Sequence, residues 1–334
     1  MSDSEQVIYY MNYVTSVYLG YVTIVTGLVG ATIDILVFTQ LKLFRNNPSA
    51  FYLIVAAMVE IFQLIFIVST RVITATNGYD PTRTSLAWCK LRACFNQWGS
   101  TMLPIVICLS AFDQYLSTSY HAQLRQTSTL RLAQCLVMIS CVLAAAYSVP
   151  NGIFQEIHPR AGCGTYNSSY NYFFSFVHLC IITGLLPIAV SSLFSLLAFR
   201  NVRRIIRRQI PIVRRRLDRQ LTAMVLVRVA LFVTATLPLA SVRTYQINRP
   251  ADEDDDYAFA VQQLIRMAVT TFYNLNYCVI NLTCSRIDPC CICSIYLGWL
   301  LCVSGNIKSI SSTSEIFILQ KNLAKINVDQ KQEK

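Results

Sequence analysis

Apolar residues along this chain fall into long runs separated by short polar stretches. Seven such runs occupy roughly residues 16–41, 50–72, 89–118, 129–150, 171–199, 220–245 and 259–284. A run of about 20 residues with few charges is long enough to cross the hydrocarbon core of a bilayer as a helix. In lipid, only helices and closed barrels satisfy every backbone hydrogen bond. Barrel strands would alternate apolar and polar residues over about ten positions, and these runs do not alternate. The pattern predicts an all-α membrane protein, a bundle of seven transmembrane helices. Pro104, Pro150, Pro187 and Pro238 fall in or at the end of runs, where membrane helices tolerate them. Residues 1–15 are expected outside, 16–284 as the bundle, and 285–334 as a cytoplasmic tail. In that tail the apolar stretch 289–303 is short for a span and reads as lying on the inner membrane surface, with an eighth crossing as the alternative.

Composition supports this reading: 54% of residues are hydrophobic and 13% charged, against about 25% charged in soluble domains. The net charge of +11 suggests nucleic acid until its location is considered. Nine arginines lie between Arg200 and Arg219, in a loop between two apolar runs, which is where basic residues face the anionic inner leaflet. Nucleic acid is therefore not an expected partner; membrane lipid is. The alternate loops beginning with Lys42 and Arg45 hold 13 Lys and Arg, and the opposite loops and flanks hold 7. The positive-inside bias then puts the N-terminus outside and the C-terminus inside. The opening Met1–Val14 lacks the basic and short apolar regions of a cleavable signal, so the first span is expected to direct its own insertion.

Most of the thirteen cysteines lie within the runs, where the side chain acts as a small apolar group. Cys89, at the outer end of the third run, and Cys163, in the outer loop after the fourth, fall in an oxidising compartment and are expected to form a bridge. Asn167-Ser168-Ser169 in that loop is a glycosylation sequon. Cys290, Cys291 and Cys293 beside the inner leaflet are candidates for palmitoylation. His121, His158 and His178 are dispersed, so no metal site, cofactor or enzymatic activity is predicted.

Several residues together resemble the rhodopsin-like G-protein-coupled receptors over about residues 16–290. Cys89 and Asp113 have the family's separation along span three, and Asp113-Gln114-Tyr115 looks like its Asp-Arg-Tyr. Glu60 stands where span two usually has Asp. Pro150, Pro187 and Pro238 match the prolines of spans four to six, and Phe232 precedes Pro238 by six residues. Asn47-Pro48-Ser49-Ala50-Phe51-Tyr52-Leu53 looks like the opening of span two in invertebrate peptide-receptor-like members. The chain departs from the family at Gln114 (usually Arg), Ala31 (Asn), Ser140 and Thr236 (both Trp) and Ser195 (Tyr), and it lacks the seventh-span Asn-Pro-x-x-Tyr.

The resemblance implies an extracellular ligand, a peptide or small molecule, and an intracellular G protein. Asn96, Gln97 and Ser100 on span three are candidate ligand contacts, and they could equally bond neighbouring helices. Asn96 stands where amine receptors carry Asp, which argues against an amine. Arg243 and Arg266 could grip an anionic group, or pair with the acidic run 252–256. Asp113, Gln114, Tyr115, Arg214, Arg215 and Arg216 are the candidate G-protein surface. Asp34, Glu60, Asn276 and Asn281 are expected to form an intramembrane polar network; Leu103 replaces a hydroxyl that would help hold sodium, and Arg228, near the inner end of span six, could snorkel. The hydroxyl-rich 309–314 is a candidate for phosphorylation. The alternatives are a seven-span binding protein that does not signal, and a transporter or channel, for which no internal repeat is visible.

Overall fold

The computed structural model describes residue 10 and residues 13–40, 47–78, 80–158, 162–205, 212–248 and 261–274, all within the first of two compact units, Met1–Thr283. Asn276, Asn281, Cys290, Cys291, Cys293, the acidic run 252–256 and the tail hydroxyls lie outside the described residues, as do the side chains of Arg214, Arg215 and Arg216.

The helices are α1 (Ser16–Gln40), α2 (Pro48–Asn77), α3 (Leu86–Thr118), α4 (Leu130–Ile153), α5 (Ser168–Arg203), α6 (Ile212–Asn248) and α7, described over 261–274. Their starts follow local chemistry. The side chains of Asn47, Ser85, Thr129 and Asn167 accept hydrogen bonds from first-turn amides of α2, α3, α4 and α5, satisfying donors that the helix itself leaves open. Pro48 follows Asn47 directly, where its missing N–H costs nothing. α2 runs five residues past the apolar run, to a left-handed Gly78 (φ 66°) whose amide bonds back to Thr74. α4 likewise continues past Pro150 to Ile153. The arginine-rich stretch is helical at both of its ends, through Ile205 and from Ile212.

Five of these helices are long and apolar enough to cross a membrane. α3 is less apolar because of its place: it packs against α2, α4, α5 and α6 at the centre of the bundle. Its polar residues therefore face protein rather than lipid. A core of Leu64, Met102, Leu103, Ile107, Val229 and Phe232 joins α2, α3 and α6. Between α2 and α3, Phe62 meets Phe95 and Trp98 edge-on with centroids 5.2 and 5.0 Å apart. Gly99 leaves room at this crossing for the Gln63 amide, which a Cβ there would displace.

Three of the described helices widen locally to π-type turns, over Thr15–Leu19 at the start of α1, Leu64–Val68 in α2 and Phe173–Leu185 in α5. In the wider helix Ser69 Oγ donates to the Leu64 carbonyl at 2.9 Å and Thr183 Oγ1 to His178 at 3.1 Å, each five residues back. The α5 stretch ends just before Pro187, whose ring cannot donate the next helical bond.

Between α4 and α5 the chain forms an antiparallel hairpin, β1 (Gln155–His158) with β2 (Gly162–Thr165), in which Gln155 faces Thr165 and Ile157 faces Cys163. Gly162 has φ 79°, a conformation that favours glycine.

Candidate functional site

The hairpin lies across one end of the bundle. Cys163 of β2 is bonded to Cys89 of α3, with Cα atoms 5.9 Å apart. Hydrogen bonds around it join neighbouring elements: Asn151 Nδ2 of α4 donates to the Ala93 carbonyl of α3 at 3.0 Å, Gln155 Nε2 to Thr165 Oγ1 across the hairpin at 2.9 Å, and Tyr170 Oη of α5 to Asn151 Oδ1 at 3.3 Å. The first of these joins α4 to α3 just below the bridge.

Beside this strap is a cavity of about 610 Å³. Arg71 of α2, Arg92 of α3, Arg243 of α6 and Arg266 of α7 all line it, with Arg83 at the rim. Asn96, Gln263, Thr270 and Asn274 add hydrogen-bonding groups. A smaller cavity of about 120 Å³ lies against it and shares Asn96, Arg71 and Arg243, reaching Ser100, Pro104 and Thr236.

The sequence candidates separate here. Asn96, Ser100, Arg243 and Arg266 line cavities. Gln97 does not: its amide nitrogen lies 3.0 Å from His178 Nδ1 of α5, and Tyr147 Oη of α4 approaches the same atom at 3.5 Å. Gln97 and His178 are both buried, so this knot ties three helices together. Sequence spacing left His178 isolated, and no local signal joined it to Gln97, 81 residues away. Arg71 and Arg92 were read only as flanking charges; a basic residue ending a span is too common a pattern to mark a site.

At the opposite end Asp113 is buried and accepts hydrogen bonds from Ser49 of α2 and from Ser128, the latter at 2.6 Å. The next residue, Gln114, is also buried, and its Oε1 accepts a 3.0 Å bond from Thr222 Oγ1 of α6. Tyr115 packs on Phe194 of α5 with centroids 5.6 Å apart. The triplet thus joins α3 to α2, α6 and α5.

In mid-bundle, Arg228 of α6 does not snorkel. Its guanidinium pairs with the Glu60 carboxylate of α2, and the two side chains are only 3% and 1% exposed. Arg228 is too deep for its stem to reach an interface, and a buried charge needs a partner. Among the described residues, Glu60 Oε2 and Arg228 Nε have no further bond. Asp34 is buried in α1.

The family profile described as 7 transmembrane receptor (rhodopsin family) matches residues 30–281. The chain belongs to the rhodopsin-like seven-transmembrane receptor family. No curated protein matches it at a significant level. The receptor is therefore a multi-pass protein of the plasma membrane, built as a seven-helix bundle. Its family consists of receptors for extracellular ligands that act through G proteins, not of enzymes. At the heart of its helix contacts the receptor places a neutral Gln114 and a buried Glu60–Arg228 pair.

Proposed function

We propose that this receptor binds its ligand in the cavity beside the disulfide-strapped hairpin and signals to a G protein at the Asp113 end, with the N-terminus outside the cell. The observation that carries the reading is a polarity between the two ends. One holds an open cavity of about 610 Å³, within the range of small-molecule pockets; at the other, Gln114 and Thr222 bond α3 to α6. That closed end suits a resting arrangement. A ligand shifts it only by binding the open arrangement more tightly.

Several expectations fit this orientation. Asn167 is exposed on the hairpin side and caps α5 through Oδ1, leaving Nδ2, the atom a glycan uses, available. The basic residues of α6 near Arg214, Arg215 and Arg216 lie toward the Asp113 end of the chain path, where a G protein or anionic lipid would meet them. Palmitoylation at Cys290, Cys291 and Cys293 would anchor the same side.

A second reading, a binding protein that does not signal, is favoured by Gln114, which lacks the charge found at this position in the family. G-protein activation measured in cells against a peptide and small-molecule panel separates the two. The coupled reading expects a ligand-dependent response from the receptor, enlarged in Gln114→Arg. Silence from both proteins at normal surface levels would leave the binding reading.

A further inference from the structure

Ser128 stands between two helices at the Asp113 end, in the linker that joins the short helix Ala122–Thr127 to α4. Its backbone and that of Thr129 are extended, with φ −71°, ψ 90° and φ −123°, ψ 148°. Arg125, Gln126, Thr127 and Thr129 around it are exposed, and Ser128 itself is half-buried. The three hydroxyls of this segment have different tasks. Thr127 Oγ1 donates to the Gln123 carbonyl at 3.1 Å, and Thr129 Oγ1 caps α4 by accepting the Leu132 amide at 3.3 Å. Ser128 Oγ reaches across to α3 and donates to Asp113 Oδ1 at 2.6 Å. Asp113 Oδ2 accepts from Ser49 of α2. The buried carboxylate is therefore held by one serine from the bundle and one from the linker.

Arg125 precedes Ser128 by three residues. Arginine at that distance is what a Ser/Thr kinase with an acidic substrate cleft selects, since guanidinium pairs with carboxylates. The same spacing in Arg219-Gln220-Leu221-Thr222 leads to a hydroxyl buried within α6, out of a kinase's reach. We propose that Ser128 is a phosphorylation site for an arginine-directed kinase, and that its phosphate releases the linker from Asp113. In the transfer, Ser128 Oγ attacks the γ-phosphorus of Mg-ATP, its proton passes to the kinase's catalytic aspartate, and ADP leaves. The phosphoserine Oγ then has no hydrogen to donate, and a group of charge about −1.5 to −2 faces a carboxylate. Like charges so close in a partly buried space repel. The linker and α3 separate, and Arg125 and Arg131 on the exposed side offer the phosphate counter-charges. Gln114, the next residue along α3, bonds Thr222 of α6, so the modification acts beside the tie between α3 and α6. This inference rests on the Asp113 end facing the cytosol, where ATP and kinases are found.

The test treats the full-length receptor, purified in detergent, with the catalytic subunit of the cyclic-AMP-dependent kinase and Mg-ATP, and maps phosphate by mass spectrometry. Phosphate on Ser128 is expected. It should be lost in Ser128→Ala and form about tenfold more slowly in Arg125→Gln, the scale of a hydrogen bond between charged groups. The kinase needs the hydroxyl free, so Asp113→Asn, which weakens its bond, should be phosphorylated several-fold faster. The phosphorylated parent should melt several degrees below the untreated receptor, and Asp113→Asn should lose much less on the same treatment. Ser128→Ala removes the bond alone, whereas Ser128→Glu adds the repulsion and should melt lower still.

Absence of phosphate on Ser128 overturns the proposal, as does its formation at equal rates in the parent and Arg125→Gln. An equal fall of the midpoint in the parent and Asp113→Asn shows that the phosphate does not act through that carboxylate, which also overturns it. Should Asp113→Asn not fold, the two Ser128 variants decide: Ser128→Glu as stable as Ser128→Ala, or more so, sinks the release. Failure of the receptor reading looks different: Ser128 would be phosphorylated and the midpoint would fall, while no ligand elicits a G-protein response. If an epitope inserted after Gln126 is labelled on intact cells, the Asp113 end lies outside and both readings fall.

Discussion

The two ends of the bundle handle polar residues in opposite ways. From mid-bundle to the Asp113 end, three central polar groups are each met by a side chain from another helix: Glu60 by Arg228, Asp113 by Ser49, Gln114 by Thr222. At the hairpin end, five arginines and one acid line a cavity among the described residues. A matched buried pair holds helices in one arrangement, because separating its members strands a charge in a medium of low polarity. Like charges gathered together repel instead. The bundle is therefore tied by matched side chains toward the Asp113 end and gathers arginines in the cavity beside the hairpin.

The largest expected effect lies at the tied end. Glu60→Gln or Arg228→Met leaves one buried charge without its partner, which costs about 3–5 kcal/mol. Thermal unfolding of the purified receptor should show each single variant strongly destabilised, whereas the double apolar variant Glu60→Met/Arg228→Met should recover most of the loss. Equal losses in the single and double variants would mean that the pair is not the tie described here. Contrast this with Arg243→Gln and Arg266→Gln, each of which takes one guanidinium from among several and should cost far less: the same residue type, with unequal consequences at the two ends.

Next in size is the strap. Cys89→Ser opens a link across 74 residues, and loss of such a link removes about 2–4 kcal/mol. Surface expression in non-permeabilised cells should fall for Cys89→Ser and Cys163→Ser to the same extent, and the double variant should be no worse than either. Unequal single variants would point to a different partner for one of the cysteines.

The smallest effect concerns the Gln114–Thr222 bond. Thr222→Val removes the donor at nearly constant shape, a loss of about 1 kcal/mol between neutral groups. That is a fivefold shift toward any arrangement in which α3 and α6 are apart. Basal G-protein activation should rise by about that factor, with ligand-driven maxima unchanged. A fall in basal activation would place the bond in the active arrangement instead.

How much of this was legible in the chain can be judged from single residues. The span boundaries were, because length and apolarity are local properties: Asn47-Pro48 marks the start of α2 as plainly in sequence as in structure. The far end of α2 was not, since residues 73–77 are polar or mixed and the stop depends on Gly78 taking a left-handed conformation. Cys89 and Cys163 could be paired because topology put just these two on one side of the membrane. Gln97 was grouped with Asn96 and Ser100 by its position in the chain, yet a single-residue step around a helix turns a side chain through about 100°, and that step carries it to His178. Arg228 was expected at an interface because sequence gives its depth only roughly, while its pairing with Glu60 spans 168 residues.

Amino-acid order alone determined what is decided by transfer from water to lipid: that the chain spans a membrane, where its helices begin, and to which receptor family its spacing belongs. Those are sums over neighbouring residues, and neighbours are what a sequence displays. The tertiary structure decided which charges meet. It gave Arg228 a carboxylate and gathered Arg71, Arg92, Arg243 and Arg266 around one cavity. The energy of a charge depends on what stands within a few ångströms of it, and only the packing of distant helices sets that.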